Sequence, residues 1–259
     1  MSRLEDYQHS YQFVKLVRDD VGILTVQLHT DGGPFHWNLS AHEELASVWD
    51  NVSRDPHNSV VVLTGTGDSF IAEGGVFASD GNWVTPQAWR HVHRVGRRLV
   101  MSHLDIEVPV IAAVNGPAVL HSEQALLCDI VIASETATFA DHAHFLHGVV
   151  PGDGVQVIWQ HLVGLNRARY LLLTGQVIDA RTALDWGVVG EVVPQHMVLD
   201  RAYELARELA AKPSVALRTV RMVLTHELRQ HMSVGVDIGL MTEGLAGAEF
   251  WPSDPAPEQ

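Results

Sequence analysis

SVVVLTGTG, residues 59–67, is a β-branched apolar run that ends in two closely spaced glycines. Such a run suits a strand buried on both faces that empties into a loop. Working outward, VPVIAAVNG (108–116) repeats the plan, and CDIVIASE (128–135) is a third run of the same kind. Upstream, GILTVQLHT (22–30) alternates apolar and polar residues, as a half-buried strand does. Helical periodicity fills the gaps. SAHEELASVWDNVSRD (40–55) opens with Ser40 and has Glu43 three residues on, the pattern of a capping box. TPQAWRHVHRVGRRLVMSHL (85–104) is a longer amphipathic candidate. Beyond residue 154 the pattern is almost wholly helical. Strands alternating with helices, then a helical tail, predict an α/β core with an appended helical region.

Bulk properties narrow the function. The chain has 259 residues, 17 Lys and Arg against 31 Asp and Glu, and a formal net charge of −14. A surface this acidic repels a phosphate backbone, so nucleic acid is not an expected partner. Cys128 is the single cysteine, which excludes an intrachain disulfide and suits a reducing compartment. The N-terminus MSRLEDYQHS is polar and lacks the apolar run of a secretory signal. No stretch approaches the roughly 20 apolar residues that span a bilayer. A soluble, cytoplasmic protein with no membrane partner is expected. The proline-rich tail WPSDPAPEQ is expected to fray.

Five segments together resemble the crotonase (enoyl-CoA hydratase/isomerase) superfamily: VVVLTGTGDSFIAEGG, IEVPVIAAVNGPA, LCDIVIASETATF, GVVPGDG and LLLTGQVIDARTALDWGVVGEVV. The resemblance implies an α/β fold, a spiral of ββα units over residues 1–195. It further implies a C-terminal helical region that mediates trimerisation, residues 196–259, with a short disordered tail. Homotrimers or dimers of trimers are the implied assembly. Such enzymes stabilise an enolate-like oxyanion with fixed backbone dipoles in a dry site.

The family's pattern is broken at telling positions. Members usually carry a glycine run after NG-x-A and then a catalytic glutamate. This chain reads NGPAVLHSEQALLCD, with Leu120, His121 and Ser122 in the glycine run and Gln124 at the glutamate position. A second catalytic glutamate usually precedes the G-x-x-PG turn, and His144 stands there. The first oxyanion loop reads Ala72, Glu73, Gly74, Gly75. Adding water across an enoyl thioester needs the two glutamates as base and acid. A standard hydratase is therefore not expected. The replacements instead resemble a small branch, the β-diketone hydrolases typified by 6-oxocamphor hydrolase, which cleave a carbon–carbon bond between two carbonyls by a retro-Claisen reaction. HWNLSAHEEL, GPAVLHSE, F-x-D-x-x-HF, GVVPGDG and GLMTEGLA carry that likeness.

The branch resemblance implies roles residue by residue. His144 and Asp153 become a catalytic dyad that activates water, with a pH–rate limb expected between about 5.5 and 7.5. His121 donates to, or protonates, the departing enolate. Trp37 offers an indole N–H to a carbonyl, while His42 and Glu243 orient a partner or bind substrate. The β-dicarbonyl holds its own charge, so no cofactor and no metal are expected. Asp141 reads as a turn residue, and His142 and His147 as surface or turn residues. Metal ligation by that segment is disfavoured, since His142 and His144 are two apart and face opposite ways on a strand. Phe35, Phe77, Trp83 and Phe145 read as pocket lining. Two alternatives remain: an acyl-CoA isomerase or thioesterase, and a non-catalytic paralogue.

Overall fold

The computed structural model describes residues 3–74 and 85–250. Gly75, Phe77, Trp83 and the tail from residue 251 lie outside the described residues.

A six-stranded sheet forms the centre. It holds β1 (Val14–Arg18), β2 (Ile23–Leu28), β4 (Val60–Thr64), β6 (Val110–Val114), β7 (Ile130–Ser134) and β10 (Glu191–Val193), in that spatial order. The β1–β2 hairpin is antiparallel and every other pairing is parallel. The valine run explains itself here. Val61 and Leu63 face a large core with Leu45, Val48 and Trp49 of α2 (Leu39–Ser53). Val60 and Val62 face the opposite side, against Val198, Ala202 and Ala206 of α7 (Val198–Ala210). Both faces are covered, so the strand is uniformly apolar, and each buried valine contributes about 1.5–3 kcal/mol. Helix α7 thus closes the second face of the sheet.

A smaller strand system runs beside this sheet. It holds β3 (His36–Trp37) paired with β5 (Glu73–Gly74), and β8 (Thr138–Phe139) paired with β9 (Ile178–Asp179). Single bridges Ile71–Ala118 and Ala118–Phe139 join the two pairs. The chain therefore alternates central strand, small strand, helix. It runs β2–β3–α2, then β4–β5–α3 (Pro86–Leu104), then β6–Ala118–α4 (Glu123–Leu126), then β7–β8–α5 (Val155–Thr174). This is a ββα spiral. Short helices α1 (Leu4–Tyr7) and α6 (Ala180–Asp185) complete it.

Two local expectations need correction or refinement. Helix α2 starts at Leu39, one residue before Ser40, and its cap is Asn38, whose side chain accepts from Ala41 N–H. The Ser-x-x-Glu spacing is present, but a better acceptor stands two residues earlier. Helix α8 (Ser214–Phe250) is one long helix anchored at both ends. Near its start the buried Arg221 guanidinium donates to the carbonyls of His103, Ile106 and Leu127 and pairs with Asp129. Further on, Gly239 meets Gly152 backbone to backbone: a Cβ on Gly239 would lie 2.2 Å from the Gly152 carbonyl oxygen. Among the described residues no helix is long and apolar enough to cross a membrane.

Candidate active site

The spiral delivers six predicted residues, from five places along the chain, to one buried spot. Trp37 ends β3, and Gly74 lets β5 approach it, since a Cβ there would meet the Trp37 backbone. His42 lies in the first turns of α2, while His121 immediately precedes the α4 turn. His144 and Asp153 flank the turn before α5, and Glu243 projects from α8. All six are buried.

The rings stack and fan out. Trp37 and His121 lie face to face with centroids 3.8 Å apart at 19°. His42 is 5.6 Å from Trp37 and 6.2 Å from His121. His121 and His144 stand edge to face at 5.9 Å. His121 holds φ at 45°, a left-handed backbone that costs a non-glycine residue about 1–2 kcal/mol. A histidine in a glycine position is thus held in a strained conformation, which points to a task for its side chain.

Carboxylates surround the two central imidazoles. His121 Nδ1 lies 2.7 Å from Asp153 Oδ2 and 3.2 Å from Glu123 Oε1. His144 Nε2 lies 3.4 Å from the same Asp153 Oδ2. Asp153 is therefore shared between two histidines, in ion-pair contact with both, while its Oδ2 accepts no directed hydrogen bond. The closest partner of His144 is another group: its Nδ1 lies 2.7 Å from Asp141 Oδ1. Asp141 is fully buried and does not close the expected turn. Neither of its oxygens accepts a backbone N–H among the described residues. Sequence reasoning missed Asp141 and Glu123. Their signal was local, i and i+3 from His144 and i+2 from His121, but their burial came from packing.

Electrostatics sort these groups. Burial alone would lower the pKa of His121, but Glu123 and then Asp153 outweigh it and raise it to about 9. Burial is likewise outweighed at His144, where Asp141 and then Asp153 hold it well above the ordinary value. Burial would raise Asp153, yet His144 and His121 hold it well below the usual carboxylate range. Burial, with the His121 charge, pushes His42 down to about 3, so it is neutral. Glu243 goes the other way: burial pushes it up to about 8, against the pull of His144. Burial and then Asp153 also raise Glu123.

Several buried polar atoms here have no hydrogen-bond partner among the described residues: Trp37 Nε1, both His42 nitrogens, Asp141 Oδ2, Glu123 Oε2 and Glu243 Oε2. Orphaned groups cost free energy unless something polar meets them, and their convergence marks a place for a ligand or water. One donor atom each from His121, Glu123 and Asp153 lies within 4.8 Å of the others, a spacing that a metal could use and that a proton shared by His121 also fits. An open hollow of about 720 Å³, lined by Arg3, Asp6, Arg18, Asp19 and His57, shares no residue with this spot and has no converging apolar wall. Other expectations fall elsewhere. His142 donates to or accepts from neither histidine and lies against the Gly175 carbonyl, and His147 is exposed. Phe35 is buried against Trp37, whereas Phe145 is half exposed. Gln124, at the family's glutamate position, is tied to the Trp49 indole.

Residues 21–242 match the enoyl-CoA hydratase/isomerase family, and the chain belongs to it, within the crotonase superfamily. One curated relative is the 1,2-epoxyphenylacetyl-CoA isomerase of Escherichia coli, 30% identical over 87% of each chain. Another is the short-chain-enoyl-CoA hydratase of Clostridium acetobutylicum, 31% identical over 84% of this chain and 81% of that one. Among solved structures, a much nearer likeness is ABDH, a β-diketone hydrolase from the cyanobacterium Anabaena sp. PCC 7120, bound to (S)-3-oxocyclohexyl acetic acid. It is 41% identical, with a TM-score of 0.92, over 94% of this chain and 97% of that one.

Proposed function

We propose that this enzyme hydrolyses a carbon–carbon bond of a cyclic or bicyclic β-diketone by a retro-Claisen reaction. The observation that carries the reading is Asp153 Oδ2 set between His144 Nε2 and His121 Nδ1, a carboxylate bridging two imidazoles of unequal surroundings. His144, in its neutral form, takes a proton from water as the oxygen attacks one carbonyl carbon. The tetrahedral adduct breaks its bond to the carbon between the carbonyls. The electron pair moves into the second carbonyl as an enolate. His121, held as imidazolium, donates to that oxygen or protonates the carbon. The proton on His144 then returns to His121 through Asp153, and the water oxygen stays in the new carboxylate. Trp37 N–H and the neutral acid Glu243 donate to carbonyl oxygens, and neutral His42 orients them. The ligand of the Anabaena protein has the matching chemistry: a cyclohexanone with a carboxylate arm is what water leaves from a bicyclic diketone.

Coenzyme A, cofactor and metal have no part in these steps. The competing reading is acyl-CoA chemistry, favoured by the curated relatives. Loss of both hydratase glutamates, to Gln124 and His144, weighs against it. Incubation with a bicyclic 1,3-diketone and separately with an enoyl-CoA, each with chelator, decides between them. Ring opening to a keto acid, undiminished by the chelator, is expected. Thioester turnover alone, or diketone cleavage lost on chelation and restored by a metal, would overturn the reading. We also propose that the chain works as a homotrimer or dimer of trimers, since α8 exposes Val234, Ile238, Met241 and Leu245.

A further inference from the structure

The dyad expected from sequence pairs His144 with Asp153, yet the directed hydrogen bond of His144 goes to Asp141. The Nδ1–Oδ1 distance is 2.7 Å, against 3.4 Å from Nε2 to Asp153. We propose that Asp141 is a positioning residue: it accepts the Nδ1 proton of His144, fixes the ring's tautomer and leaves Nε2 as the free acceptor facing Asp153 and the reacting water. The inference rests on the diketone-hydrolase reading for the identity of the reaction, though not for the geometry.

Three observations carry it. A carboxylate can only accept, so the atom it meets in His144 bears the proton. In neutral His144 the base lone pair then lies on Nε2, the side on which Asp153 bridges to His121. Second, Asp141 has no competing task. It makes no backbone contact of the kind that closes an aspartate turn, and its second oxygen is unpartnered. Burying a carboxylate for one side-chain bond is expensive, which argues for a purpose beyond local folding. Third, the segment is stiff. His142 N–H donates to Val119 O and the His142 ring to or from Gly175 O, while the N–H groups of His147 and Val149 both donate to His144 O. These bonds anchor the backbone between Asp141 and His144 and at His144 itself. The other charged or titratable groups that face His144 are Asp153 before α5, His121 before α4 and Glu243 on α8. Among these, Asp141 is the one aimed along a ring N–H.

Asp153 then has a different duty from the one the resemblance implies. It does not set the tautomer of His144; it connects the two imidazoles. Removing Asp141 impairs the base, whereas removing Asp153 impairs the return of the proton.

The test uses the intact protein with ¹⁵N-labelled histidine, the His144 signals assigned by their loss in His144→Gln. In the wild-type protein the neutral ring is expected as the Nδ1–H tautomer, titrating above about 6.5. In Asp141→Asn the midpoint should move down, and the fixed tautomer should be lost. Kinetically, Asp141→Asn should lower kcat by about 10²–10⁴-fold with KM little changed, and its rising pH limb should shift to lower pH. An Nε2–H tautomer in the wild type, or an unchanged His144 titration in Asp141→Asn, would overturn the inference. Because the tautomer is read on the unmodified protein, poor folding of the variant does not block the test. If the NMR result holds while no diketone is cleaved, Asp141 keeps its role and the proposed reaction is what fails.

Discussion

At the scale of single residues, the site separates its titrating groups by surroundings. Two imidazoles sit among carboxylates and are raised, while a third, buried beside the charged His121, is lowered to about 3. The rising limb of the pH–rate profile therefore belongs above about 6.5, on the alkaline side of the range expected from sequence. A burial-only argument would have moved it down, but Asp141 and Asp153 outweigh burial. Glu243 supplies an opposing limb. Its pKa of about 8 makes it a neutral donor below that pH. As pH rises through about 8 it ionises, loses its proton and adds negative charge beside Asp153, so kcat/KM should fall. Glu243→Gln keeps a donor that cannot ionise. It should retain much of the activity and lose the falling limb near pH 8, measured by steady-state rates from pH 6 to 9. A variant with the limb unchanged, or with no activity at any pH, would remove the neutral-donor role. The six candidate residues entered through the likeness of whole segments to the diketone-hydrolase branch, and His121 also stood out as a histidine in a glycine run. Asp141 was not legible, because an aspartate in a polar turn has the same sequence signature whether exposed or buried.

At the scale of elements, three β-branched runs identified β4, β6 and β7 because parallel strands covered on both faces must be apolar throughout. Short strands such as β3 and β8 carry no such signature; two residues cannot show a period. Nor does the helical pattern after residue 154 reveal how α8 meets α5. That packing turns on small residues. Gly239 on α8 abuts Gly152, and a Cβ on Gly152 would in turn meet the Glu243 carboxylate at 2.8 Å. Helix propensity favours alanine over glycine by about 1 kcal/mol in an exposed helix interior. Here the contact reverses the sign. Gly239→Ala should push α8 off the turn that carries Asp153 and destabilise by about 1–3 kcal/mol, as overpacking does. Because Glu243 lies one turn further along α8, kcat should fall too. Thermal melting and steady-state rates read the two effects, and a variant melting higher than wild type with full activity would refute the packing argument.

At the scale of the molecule, α8 has two apolar stripes, one more than a single chain uses. Met232, Val236 and Leu240 face the core, at spacings of four residues. Val234, Ile238, Met241 and Leu245 recur at four, three and four residues on a different face, with Met241 66% and Leu245 74% exposed. Helices that bury one face usually turn a polar face outward. A second apolar stripe suits the proposed interface between copies of the chain, since contiguous patches of that kind are rare on monomers. A formal charge of −14 on each chain opposes close approach of copies in general, so association must run through a face where charge is sparse. The stripe meets that condition, since its four members are all uncharged. Light scattering coupled to size exclusion should give three or six times the chain mass. The double variant Met241→Asp, Leu245→Asp puts two carboxylates on the stripe. It should move the mass toward that of one chain, and lowered salt should accentuate the shift by lengthening the range of repulsion. A wild-type protein that runs as a monomer at micromolar concentration would show that the stripe serves something else. An unshifted double variant would place the contact on another face.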